Sequence, residues 1–268
     1  MRARRFLRFV FPPAAVLVLA IAGWYAVSYL VLTPERRFLL PPPHEVVRVG
    51  FLDRHNLMDL LRALALSAQV AMTGLAIAVV VGIGLAVVMS QTRWLERSLF
   101  PYAVVLQTVP IVALAPAFGF WFGFGFSSRV LVCVLIGIFP IIANTLFGLR
   151  SVADSHRDLF TLHHAGRLTR LVKLEIPTAT PSIFTGLRIA AGLSVIGAIV
   201  GDFFFKQGQP GIGILIEIYR TQLQPERMFA AVILASLFGL TVFWAFTFLA
   251  RRVAGRWHES ARGDQSWS

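Results

Sequence analysis

Charge is scarce in this chain. Only 14% of its 268 residues are Asp, Glu, Lys or Arg, where a soluble domain of ordinary composition carries about 25%. Apolar residues make up 57% and the mean hydropathy is +0.73. One globular core cannot hide that much apolar surface from water, so lipid is the expected solvent. Cysteine is nearly absent. The single Cys133 excludes an intrachain disulfide and sits in an apolar run, where it reads as a small core residue. Lysine is reduced to Lys173 and Lys206, so arginine carries almost all the positive charge. Acidic residues are few enough to leave a net charge of +12. The basic residues lie between long apolar runs instead of forming one patch with interleaved aromatics, which argues against nucleic acid as a partner.

Chemistry-bearing patterns are missing too. There is no G-x-x-x-x-G-K-[ST] phosphate loop, so the chain is not expected to bind ATP in that way itself. No nucleophile with a base, no catalytic triad and no paired-carboxylate site stands out, so an enzyme is not expected. Adjacent His163 and His164 point apart on a helix and have no third ligand nearby, so neither a metal site nor any other cofactor is expected.

What the chain does have is apolar length. A bilayer-spanning helix needs about 20 apolar residues, and six runs qualify: 10–32, 63–89, 99–122, 130–149, 183–205 and 228–250. Inside lipid the backbone must satisfy its own hydrogen bonds, so these runs predict helices. The expected fold is an all-α, polytopic transmembrane bundle in one domain, 1–268, with short helices in a polar loop at 150–182. With the N-terminus inside, fifteen Lys and Arg fall on inner segments and nine on outer ones. That bias predicts both termini in the cytoplasm. Arg2, Arg4, Arg5 and Arg8 ahead of the first run resemble a secretory signal, with Ala20 and Ala22 as a cleavage pattern. The run continues through Trp24, Tyr25 and Leu30, longer than a signal core, so a retained first helix is expected.

The loops differ in character. Residues 33–62 form an outer loop in which Pro41, Pro42 and Pro43 predict extended backbone. Residues 206–227 form another, whose apolar middle from Gly211 to Ile216 could dip back toward the membrane. In the inner loop Asp154 or Ser155 is a candidate helix cap. Leu159, Phe160 and Leu162 then supply a short apolar face. Leu168, Leu171 and Val172 supply a second, with Pro177 and Pro181 bounding the next span. A helix this short needs something to dock into; a protein groove and a headgroup surface are both open on periodicity alone.

Small residues recur every fourth position, as Gly74, Ala78 and Gly82 and as Gly197 and Gly201, which predicts close helix packing. The aromatic stretch from Gly119 to Phe126 reads as an interface belt. Polar residues within spans are rare. Gln107, Asn144, Ser194 and Asp202 are the candidates for a translocation pathway, and Asp202 could instead pair with Arg129 or Lys206.

The stretch from Asp158 to Pro177 resembles the cytoplasmic signature loop of bacterial ABC importer permeases. That signature begins Glu-Ala-Ala, continues to a Gly and ends in Leu-Pro. Here Asp158 stands for the Glu, Leu159 and Phe160 replace the two Ala, His164 stands for the Gly, and Ile176 with Pro177 stands for the Leu-Pro. The runs from Pro181 to Phe205 and from Gly208 to Gly213 resemble the nitrate/sulfonate/taurine branch of that family, which includes a pyrimidine/vitamin-precursor subgroup. The resemblance implies a type I importer permease fold. It implies that Asp158, Leu159, Phe160, Leu162, His164, Ala165, Gly166 and Pro177 belong to a coupling element that sits in a groove of a separate ATPase. The implied partners are ATP-binding-cassette ATPase subunits, a second permease copy or paralogue, an extracytoplasmic substrate-binding protein and membrane lipid. A stand-alone secondary transporter or channel would instead show inverted repeats or several buried charges, and a membrane enzyme would show a polar constellation. The Phe-rich spans lean toward a heterocyclic solute over a bare sulfonate-like or nitrate-like anion.

Overall fold

A computed structural model describes residues 2–254, with side chains from Phe11 to Val253. Arg256 and Arg262 of the charge pattern lie outside the described residues, as does the end of the expected domain beyond 254. The helices of nine residues or more are α1 Arg2–Ala26, α2 Arg54–Ser90, α3 Arg93–Thr108, α4 Ile111–Phe122, α5 Phe126–Arg150, α6 Asp154–Leu162, α7 Ile176–Phe204, α8 Ile212–Thr221 and α9 Pro225–Ala254. No strand occurs among the described residues. Five stretches there are long and apolar enough to cross a membrane: Phe11–Val31, Arg54–Ser90, Phe126–Arg150, Arg167–Phe204 and Pro225–Val253. The count becomes six if the bent pair α3 and α4 is one span.

That pair corrects the third expected span. The run 99–122 is continuous in hydropathy, but its backbone turns by 97° between α3 and α4. Pro110 is the cause. It has no N–H to give, and its ring pushes the preceding residue out of helical geometry. Val109 is accordingly extended at φ −63°, ψ 127°.

The extended backbone expected at Pro41, Pro42 and Pro43 in the loop 33–62 is corrected in part. A 3-10 turn covers Pro34–Leu39, a helical turn covers Pro43–Val47, and a π turn covers Arg48–Leu52. Only part of the proline run is extended, with Pro42 at ψ 146°. Pro43 starts the next turn, where a missing N–H costs nothing. Helix α2 begins at Arg54, earlier than expected, because the Asp53 carboxylate accepts from His55 N–H at 2.9 Å and Asn56 N–H at 3.2 Å.

The chain forms two units. One comprises the described residues up to Ala63 with Leu215–Ala235. In it Trp24 Nε1 donates to the Pro41 carbonyl at 3.0 Å and its ring lies 5.6 Å from that of Phe229. Gly50 abuts the buried Ala230 so closely that no side chain would fit.

The other unit comprises Leu64–Ile214 with the described residues from Ser236 on. Its centre is the antiparallel pair α5 and α7. Glycines on both helices bring the backbones together. A methyl at Gly201 would lie 3.1 Å from Arg129 Cα, one at Gly197 3.0 Å from Cys133 Cα, and one at Gly186 2.7 Å from the Pro140 carbonyl. Helix α2 joins this core through its own small-residue face, as the spacing predicts. Gly74 meets Cys133, Ala78 is fully buried, and Gly82 meets Ile141. Lipid gives helices little hydrophobic reason to associate, so close backbone approach with dense contact supplies the attraction. Cys133 is buried in this core.

Candidate functional site

The α5–α7 pair has a feature at each end. At the end where α5 starts and α7 finishes, Arg129 and Asp202 are both buried, 1% and 0% exposed. Arg129 Nη1 lies 3.1 Å from Asp202 Oδ1, an ion pair without hydrogen-bond alignment. The other carboxylate oxygen is fully engaged. It accepts from Ser67 Oγ at 2.7 Å and from Gly213 N–H at 3.1 Å, while Ser67 Oγ itself accepts from Ile212 N–H at 2.8 Å. Arg129 also donates to the carbonyls of Phe205, Gln207 and Gln209 at 2.7, 3.0 and 3.2 Å. One guanidinium thus fixes the loop after α7, and one carboxylate fixes the start of α8. The apolar stretch from Gly211 on is buried as the first turn of that helix. Of the partners weighed for Asp202, the structure selects Arg129. Sequence reasoning missed Ser67 and the carbonyl-gathering role of Arg129; an arginine opening an apolar run was the signal available.

The other pathway candidates do not gather around Asp202. Asn144 faces Gly186 across the helix pair and donates to the Pro140 carbonyl at 2.8 Å. Ser194 faces Gly137, is 1% exposed, and its hydroxyl has no partner among the described residues. Asn144, Ser194 and Asp202 therefore mark three successive levels of the α5–α7 interface. Gln107 lies apart, exposed on α3. In the aromatic stretch, Phe118 is buried while Phe120, Trp121 and Phe122 are exposed, and α4 ends at Gly123 with φ +83°.

At the opposite end, α6 carries most of the residues that the resemblance assigns to a coupling element. Asp158 is exposed, Leu159 is 49% and Leu162 77% exposed, and Phe160 is half-buried. Neither Asp154 nor Ser155 caps the helix. The N-cap is Ala153, with no side-chain bond, so Asp154 serves only as an acidic residue in the first turn. The C-terminus is more instructive. Ala165 N–H bonds back to the Phe160 carbonyl at 2.9 Å and His164 N–H to that of Thr161 at 2.9 Å. This is a Schellman closure, and it needs a left-handed residue at His164, which has φ +52°. The position where the resemblance places Gly is thus a position whose backbone favours Gly. Ala165 is half-buried and Gly166 is the N-cap of the next turn.

The second expected short helix is not separate. Residues Arg167–Phe204 run as one helical stretch into α7. Neither Pro177 nor Pro181 bounds it. Instead a π turn at Leu171–Glu175 precedes Pro177, with Ile176 N–H bonding to the Leu171 carbonyl. The wider turn accommodates a proline that can neither donate nor let the carbonyl four residues back approach.

Comparison with known proteins agrees with this arrangement. Residues 74–255 match the family of binding-protein-dependent transport system inner membrane components. The chain is 34% identical to the formylaminopyrimidine transport permease protein ThiX of Halalkalibacterium halodurans, across 87% of this chain and 90% of that one. It is 36% identical to the riboflavin transport system permease protein RibX of Chloroflexus aurantiacus, across 63% of this chain and 62% of that one. It is 31% identical to the putative aliphatic sulfonates transport permease protein SsuC of Escherichia coli, across 82% and 81%. The family match spans most of the chain, including α6, the α5–α7 pair and Asp202. The chain therefore belongs to the binding-protein-dependent transport inner membrane components, the permease subunits of ABC importers.

Proposed function

We propose that this permease imports a nitrogen heterocycle of the pyrimidine or vitamin-precursor class. It would work with a second permease copy or paralogue, two ATPase subunits and an extracytoplasmic binding protein. The observation that carries the coupling half of this reading is α6. Its Leu159 and Leu162 are exposed on a nine-residue helix. A helix that short is not stable alone, and burying each leucine in a groove would contribute about 1.5–3 kcal/mol before ordering costs. The charge pattern supports an orientation with both termini and α6 in the cytoplasm, where an ATPase can reach it.

The substrate half is supported by the relatives named for formylaminopyrimidine and riboflavin, and by the wealth of Phe, 23 residues against few ionisable groups in the spans. Stacking on aromatic faces suits a planar heterocycle. For the pathway itself, Gln107 and Asn144 are the polar groups best able to meet a solute, being exposed and half-buried. Ser194 and Asp202 would act from within the helix interface. The test is uptake by the complete transporter in proteoliposomes. An aminopyrimidine should be accumulated with ATP, and nitrate or an alkanesulfonate should not. Accumulation of the anions alone would replace the heterocycle with the sulfonate or nitrate class.

A further inference from the structure

Two adjoining cavities lie at the α6 end of the second unit, and arginine dominates both. One, of about 530 Å³, is lined by Arg93, Arg97 and Arg150 with Glu96, Phe100 and Pro101. The other, of about 450 Å³, shares Arg93 and Arg150 and adds Arg157, Arg170 and Glu175 together with the Ser90–Thr92 turn. Five guanidinium groups thus face two carboxylates. Arg150 already pairs with Glu96. Arg157 reaches the Arg150 carbonyl at 3.3 Å and Arg170 the Ala165 carbonyl at 3.1 Å, bonds that hold both side chains in place without neutralising them. Arg93 and Arg97 have no carboxylate partner among the described residues. Like charges held this close repel, and a bound oxyanion would relieve that repulsion while accepting the donors guanidinium groups present as a fork.

We propose that these cavities form a binding site for a phosphate-ester oxyanion, the headgroup of an anionic phospholipid being its occupant. Three features favour a lipid as the source. Phe100 and Pro101 give the first cavity an apolar side beside its arginines. Trp94, next to Arg93, is 73% exposed, as suits a ring at headgroup level. Phe147, one turn before Arg150, is 70% exposed and gives an acyl chain an apolar surface to follow. Basic pockets at the ends of membrane helices bind anionic headgroups by this combination of fixed charge and apolar flank. The orientation proposed above puts the site at the cytoplasmic leaflet, beside the coupling helix, although binding itself does not depend on that orientation.

The test is native mass spectrometry of the intact permease with its copurifying subunits, titrated separately with phosphatidylglycerol, phosphatidylcholine and inorganic phosphate. Phosphatidylglycerol should bind, and R93Q/R97Q should weaken it by about tenfold or more, since each basic residue near an anionic surface is worth about a factor of five. R48Q/R54Q, which removes two exposed arginines of the other unit, should leave it unchanged. R93K/R97K keeps the charge and should retain most of the affinity, which guards against a folding defect in the glutamine variant. Binding of inorganic phosphate that the same variant abolishes would uphold the oxyanion site with free phosphate as its source. Equal affinity for phosphatidylcholine, or equal binding by wild type and R93Q/R97Q, would overturn the proposal. No uptake or ATP turnover enters the measurement, so its failure is separate from failure of the importer assignment.

Discussion

The two ends of the α5–α7 pair are finished in opposite ways. At the Arg129 end the chain ties itself together: Asp202, Ser67 and Arg129 join α2, α5, α7, the start of α8 and the loop after α7, and the ion pair is inaccessible. At the α6 end the chain stops short: leucines stand exposed and arginines crowd cavities with too few carboxylates. A buried ion pair is stable only when its surroundings also satisfy it, and here Ser67, the Gly213 N–H and three backbone carbonyls do so for Asp202 Oδ2 and the guanidinium, while Oδ1 faces Arg129 as an ion pair alone. Exposed leucines on a short helix have the reverse requirement, since their partner must come from outside. The difference makes one end self-contained and leaves exposed apolar and basic side chains at the other.

Breaking the self-contained end should have the largest effect on folding. Arg129→Ala leaves Asp202 buried without its cation and three carbonyls without their donor, a loss of about 3–5 kcal/mol. Detergent-solubilised protein should show a markedly lower thermal midpoint, and a midpoint within a degree of wild type would contradict the described network. Overfilling the helix interface comes next. Gly197→Val places a branched side chain where Cys133 Cα is only 3.0 Å from the first carbon. The expected cost is about 1–3 kcal/mol, read by the same melt. The smallest effect belongs to the α6 cap. His164→Gly removes a Cβ from a left-handed position and should stabilise the local turn by about 1 kcal/mol. Amide exchange should slow in Asp154–Leu162 while the global midpoint hardly moves; faster exchange would argue against the Schellman closure.

The sequence made the apolar spans, the small-residue faces of α2 and α7 and the apolar face of α6 legible, because each is a local periodicity. It did not make the bend between α3 and α4 legible in the hydropathy, since Gln107 to Pro110 are too short a break to interrupt a run that is apolar over its length. The missing proline N–H is what makes the break. The helical turns of 34–52 were hidden by the opposite error. Three consecutive prolines suggest extension, yet Pro43 is harmless at the first position of a turn. The continuous stretch from Arg167 escaped because a π turn lets a helix pass a proline. At the site, Asp202 was visible as a rare carboxylate, but Ser67 lies 135 residues away in sequence. No local pattern reports a contact of that separation. The arginines of the cavities likewise come from separate segments: α3, the end of α5, α6 and the helical stretch that starts at Arg167.

In the proposed function, α6 is the element through which a separate ATPase would drive this permease. The most direct measurement is ATPase copurification and ATP-dependent uptake for Leu159→Asp/Leu162→Asp, set beside the thermal midpoint of the permease alone. Both residues are exposed in the chain by itself, so the midpoint should stay at the wild-type value. Docking would require two charges to be desolvated in a groove without partners, so copurification and uptake should both be lost. If the double variant retains wild-type ATPase binding and wild-type uptake, α6 is not the coupling element, and a helix resting on lipid headgroups becomes the better account of its exposed leucines.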